Sequence, residues 1–156
     1  MSPAHTIVGK FRRLPRADRL LVVETTATLI VASLVIALLP FRHVGRLAAL
    51  RTHGSEPLPE ERAQAIKRVR WAIVACARRL PWRAMCFEQG FAAQLMLRRR
   101  GIGSVLHFGA APNDQKGLAA HVWVRDGDID VVGGELARDF AVLAKFPSEG
   151  AHRNRS

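Results

Sequence analysis

Three observations predict an α+β fold in which a cysteine-bearing helix packs on a small antiparallel sheet, preceded by N-terminal helices. Apolar residues recur at helical spacing up to residue 101. After Gly101 the chain changes to short alternating runs broken by turn residues. Between the two regions stands a helix that opens on Cys86 and closes on Gly101.

That helix runs from Met85-Cys86-Phe87 to Arg98-Arg99-Arg100-Gly101. Phe87, Phe91 and Leu95 fall four apart with Met96 beside them, giving one apolar face to pack inward. The three arginines complement the negative end of the helix, and Gly101 suits the left-handed position just past it. Pro81 brings the chain in from a turn. Cys86 therefore sits at the positive end, where a thiolate is favoured over a thiol. The competing reading, a cysteine acting as a small buried hydrophobe, is outweighed only by the residues beyond Gly101.

The 156 residues give room for one domain with an N-terminal appendage, and 49% hydrophobic content is enough for a core. A net charge of +11, from 24 basic and 13 acidic residues, points to an anionic partner. No helix-turn-helix, zinc or aromatic RNA-binding signature is visible, so nucleic acid is not expected to be that partner. Cys76 and Cys86 form neither a secreted disulfide framework nor a zinc-ligand spacing. No metal or cofactor is expected, and a reducing cytoplasm is the default compartment.

Residues 1–54 read as a basic arm followed by an apolar helical segment. Lys10, Arg12, Arg13, Arg16 and Arg19 precede an apolar run from Leu20 to Phe41 that Glu24 interrupts. The run is longer than the apolar part of a signal peptide and lacks its cleavage site. Its uncharged part, Thr25 to Leu39, is somewhat short against the roughly 20 residues of a bilayer span. Burial against the protein, or membrane association through residues 20–41, is expected ahead of a true span. Pro40 ends this helix, and Phe41 to Arg51 can form a short basic one.

The turn-rich stretch His53 to Pro59 marks a boundary, with a second domain over 55–147 and a disordered tail over 148–156. Pro59, Glu60 and Glu61 open a helix whose apolar stripe is Ile66, Val69, Ile73 and Cys76, so Cys76 is assigned to packing. Gly103 to Gly109 looks like a strand and Ala110 to Gly117 like a polar loop. Ala119 to Arg125 and Ile129 to Gly134 flank a turn around Asp126-Gly127-Asp128, which predicts a β-hairpin. His121, Trp123 and Arg125 share one face of it; Val122 and Val124 share the other. A helical turn over Glu135 to Asp139 and a strand from Phe140 to Phe146 complete the chain.

A cysteine at a helix start, then a strand, then a histidine opening a hairpin lets Cys86 and His121 meet if the helix packs across the sheet. Such a pair exchanges a proton to give thiolate and imidazolium, and a third group orients the ring. Papain-like and transglutaminase-like enzymes use this arrangement.

The residues Met85-Cys86, Leu97-Arg98-Arg99-Arg100-Gly101-Ile102, Ala120-His121-Val122-Trp123-Val124 and Val131-Val132-Gly133-Gly134 carry a resemblance. Together with Leu38-Leu39-Pro40-Phe41-Arg42, they are similar to the transglutaminase-like leader peptidase of lasso-peptide gene clusters, over roughly residues 18–146. The resemblance implies a cysteine protease that cuts the leader from a ribosomally made precursor peptide. It also implies two partners, a lasso cyclase and a separate small leader-binding recognition protein.

The family usually carries an aspartate where Gly133 and Gly134 stand here. Asp130 is the nearest candidate for a catalytic triad of Cys86, His121 and Asp130, with Glu135 in reserve. A hairpin turn centred on Asp126-Gly127 sets Asp130 diagonal to His121; one centred on Gly127-Asp128 sets it against Arg125. A salt bridge to Arg125 is the alternative role for Asp130, and a backbone carbonyl is an alternative orienter of His121. The Cys86 N–H is a candidate oxyanion donor, followed by the Gln89 or Gln94 side chain. His107 is the competing base.

Overall fold

The computed structural model describes residues 12–50, 52, 57–82, 84–113 and 117–148. The basic arm up to residue 11, most of the linker and the tail beyond residue 148 lie outside these residues.

Helix α1, Arg16–Leu38, follows Pro15 and buries the stripe Leu21, Thr25, Thr28, Leu29 and Ala32. Its threonines are compatible with burial because their hydroxyls donate back to the helix: Thr25 to the Leu21 carbonyl at 2.7 Å and Thr28 to the Glu24 carbonyl at 2.8 Å. Glu24 is held bidentately by Arg100, at 2.9 and 2.6 Å. Those hydrogen bonds keep its carboxyl below the usual glutamate range against the opposing effect of partial burial. By length and composition α1 could cross a membrane. One face of it is nonetheless built into the core, against the helices Pro59–Ala77 and Cys86–Arg99.

Helix α2, Phe41–Ala48, starts after Pro40, and the Arg98 guanidinium caps it by donating to the Leu47 and Ala48 carbonyls, both at 3.0 Å. Helix α3, Pro59–Ala77, begins on its proline and first-turn glutamates, and buries Ile66, Val69, Ala72, Ile73 and Cys76. Helix α4, Cys86–Arg99, is the centre of the molecule. The single inward face expected for it is too narrow a description: Gly90 to Gln94, Met96 and Leu97 are all buried, because α1 and α3 cover the side that the sheet does not. It ends as its sequence requires. Gly101 takes φ 73°, Ile102 N–H donates to the Leu97 carbonyl at 3.0 Å and Gly101 N–H to that of Arg98 at 3.1 Å.

The strands β1 (Val105–Asn113), β2 (Gly117–Asp126), β3 (Ile129–Val132) and β4 (Ala141–Phe146) form one antiparallel sheet in the order β3-β2-β1-β4. A 3-10 helix over Gly134–Asp139 joins β3 to β4. The polar loop expected over Ala110 to Gly117 is mostly strand, since pairing of β1 with β2 continues out to Asn113 opposite Gly117. Pro112 is tolerated there because pairing of β1 with β4 ends at Ala110, which frees its outer edge from needing an N–H. Val122 and Val124 pack under α4 so closely that a Cβ on Gly90 would sit 2.8 Å from Val122 Cγ1. Buried residues of α1 join those of α2, α3, α4 and the sheet in one cluster.

Candidate active site

Cys86 is the first residue of α4, after Met85 in extended conformation. Gln89 N–H is the first to find an intrahelical acceptor, the Met85 carbonyl at 3.1 Å, so the N–H groups of Cys86, Phe87 and Glu88 precede the helical ladder. The thiol is half-buried and lines a cavity of about 710 Å³. His121, near the middle of β2 and only 8% exposed, lines the same cavity with Gln89, Trp82, Gly133 and Glu135. The pleat puts the His121 side chain on the face opposite Val122, which lies under α4. Cysteine and histidine therefore approach the cavity from different sides, and no hydrogen bond joins them.

His121 is held on three sides. Phe140 lies 5.0 Å from it, centroid to centroid, and Trp123 is stacked at 6.0 Å. Its Nε2 is 2.8 Å from the Gly133 carbonyl oxygen. A carbonyl only accepts, so Nε2 carries the hydrogen and neutral His121 keeps its lone pair on Nδ1. Gly133 can fill this place because it has no side chain. It adopts φ 74°, and a Cβ there would lie 2.6 Å from the Val122 carbonyl oxygen.

The hairpin turn falls on Gly127-Asp128, with Asp126 opposite Ile129 and Asp130 opposite Arg125. Asp130 Oδ1 accepts from Arg125 Nε at 2.6 Å, and its carboxylate fills the space a side chain on Gly134 would need. Asp130 makes no hydrogen bond to His121. The register is fixed from outside the hairpin: Asp126, 7% exposed, accepts from both Nε and Nη2 of Arg62 on α3. Glu135 stands at the cavity rim, where Arg70 Nη2 donates to its Oε1 at 2.7 Å.

Of the other candidates, Gln89 faces the cavity, but its amide donates to the Ala84 carbonyl at 2.7 Å. Gln94 is 2% exposed and donates to the Phe146 carbonyl at 2.8 Å, which makes it a strut between α4 and β4 rather than an oxyanion donor. His107 is also stacked on Trp123, at 5.4 Å, and is not among the residues lining the cavity. Cys76 is 5% exposed, its sulfur lies 3.8 Å from the Val22 carbonyl, and burial pushes its thiol up. No cluster able to hold a metal occurs among the described residues.

Sequence reasoning allowed a backbone carbonyl beside His121 without naming Gly133, and it passed over Trp82 in the cavity lining. The available signal for Gly133 was the Gly133-Gly134 pair itself, about a dozen residues after His121.

A thiol at a helix start and an imidazole on an antiparallel sheet thus line one cavity. The model of the transglutaminase-like superfamily matches residues 28–145, and the chain belongs to that superfamily, whose members are typically cysteine proteases or acyl transferases. No curated protein and no solved structure matches the chain.

Proposed function

We propose that the protein is a cysteine peptidase that removes the leader from a ribosomally made lasso-peptide precursor. The observation that supports the reading is that Cys86 and His121 line one cavity, with Nε2 of the histidine 2.8 Å from the Gly133 carbonyl oxygen. In this scheme Nδ1 takes the Cys86 proton and the thiolate attacks the scissile carbonyl. The unladdered N–H groups at the start of α4 receive the oxyanion, and His121 returns the proton to the leaving amine. Gly133 takes the orienting role expected of Asp130. Water then releases the acyl group from sulfur.

An anionic peptide substrate suits the surroundings. A second groove of about 870 Å³ adjoins the cavity, sharing Arg70, Val74, Arg78 and Glu135 with it. Lys67, Arg70, Arg78 and Arg79 line this groove against Glu135 as its carboxylate, and Trp71 stands in it 45% exposed. The finer assignment, to a lasso-peptide precursor with a separate leader-binding protein and a cyclase as partners, rests on the sequence motifs around Cys86 and His121.

The test is incubation of the protein with its candidate precursor and leader-binding partner, followed by mass spectrometry. Two fragments whose masses sum to the precursor plus water are expected, and none from folded Cys86→Ala or His121→Ala. Full cleavage by either variant would remove the mechanism. A product joined to an added amine instead of water would make the protein an acyl transferase using the same pair.

A further inference from the structure

Helix α1 buries one stripe and leaves another uncovered. Leu20, Val23, Leu34 and Leu38 are 72%, 57%, 53% and 75% exposed, and Ile30 and Val31 lie between them. Spacings of three and four put these residues on a single face, which extends about 27 Å at about 1.5 Å per residue. No charge interrupts it, because Glu24 is turned to Arg100. The polar groups beside it are already engaged: Thr26 donates to the Val22 carbonyl at 2.8 Å, and Ser33 accepts from the Trp82 indole at 3.1 Å. A protein interface of this size carries about one hydrogen bond per 100–200 Å². This face offers no side chain to make one, whereas hydrocarbon asks for none. Exposed Arg12, Arg13 and Arg16 precede the stripe, and exposed Arg42 and Arg46 follow it.

We propose that α1 docks the protein in the plane of an anionic lipid bilayer. Its outer stripe enters the boundary between headgroups and acyl chains, and the flanking arginines meet headgroup phosphates. The helix lies flat rather than crossing, because its inner stripe and the Glu24–Arg100 pair remain on the core.

The experiment is co-sedimentation of the full chain with vesicles of phosphatidylcholine mixed with phosphatidylglycerol, and with vesicles of phosphatidylcholine alone. Sedimentation with the anionic vesicles, weakened by salt, is expected. The triple variant Val23→Ser/Leu34→Ser/Leu38→Ser should bind them about tenfold more weakly or worse, with an unchanged circular dichroism spectrum. Arg42→Gln/Arg46→Gln should weaken anionic binding about fivefold for each arginine and leave binding to pure phosphatidylcholine as it was. The proposal is overturned if the wild-type protein stays in the supernatant with anionic vesicles, or if the triple variant binds them as well as wild type does. Resistance to alkaline carbonate extraction would make α1 a span. A wild-type dimer that the triple variant abolishes, without vesicle binding, would assign the stripe to a second copy of the chain. Either result also overturns in-plane docking.

Discussion

Substituting Gly133 by alanine separates a carbonyl from a carboxylate as the group that orients His121. The new Cβ would lie 2.6 Å from the Val122 carbonyl oxygen and 3.2 Å from Trp123 Cα, neither of which can swing aside. The left-handed backbone costs alanine about 1–2 kcal/mol, and forcing a methyl into a packed site adds about 1–3 kcal/mol. Relaxation has to carry the Gly133 carbonyl away from Nε2 and break the 2.8 Å bond. Loss of one neutral hydrogen bond, about 1 kcal/mol, sets a floor of about fivefold on the fall in kcat/KM. A ring left in the wrong tautomer sets a ceiling of about 10⁴-fold. Asp130→Asn is the counterpart. It removes an ion pair whose side chains are 40% and 37% exposed, which is worth about 0–1 kcal/mol of stability, and it should leave cleavage within about threefold. The assay is steady-state cleavage of the precursor followed by chromatography, below the melting temperature of each variant as read by circular dichroism. Loss of activity in Asp130→Asn, with Gly133→Ala unaffected, would refute the reasoning.

Three further outcomes are expected. Iodoacetamide should add once to the native protein, on Cys86, because Cys76 is buried and burial pushes its thiol up; a peptide map carrying the adduct on Cys76 contradicts this. Arg100 holds the Glu24 carboxyl below its ordinary value, so its contribution is present above that value and is lost as the pH falls through the lowered one. Glu24→Gln should therefore cost about 1.5–3 kcal/mol near pH 7, and the gap between the two melting curves should close in acid. Gly90→Ala gains about 1 kcal/mol of helix propensity but must push Val122 aside, a cost of about 1–3 kcal/mol, so melting should fall by about 2–4 °C for each kcal/mol of net loss.

Much of the fold was legible because its signals are local. The arginine-ended helix stops at Gly101 for reasons contained in four residues, and alternation alone put His121 with Trp123 and Val122 with Val124. The hairpin register was not legible, because Gly127 satisfies a turn centred on either side of it. The choice falls to Asp126, which Arg62 draws into the strand from a helix far away in sequence. The same limit applies at the site. Cys86 and His121 stand out by residue type and order, whereas the Gly133 carbonyl is a backbone group that every residue possesses. Only its position distinguishes it. The partition of α1 into covered and uncovered faces likewise depends on Arg100 reaching Glu24, a pairing that helical periodicity does not encode.

The hydrogen bond from the Trp82 indole to the Ser33 hydroxyl ties the approach to Cys86 to the middle of α1. A shortened chain starting after the linker would keep every residue assigned a chemical step, yet it would lose the post against which that indole leans. Removing the first helix would thus take away the support of one residue in the cavity lining.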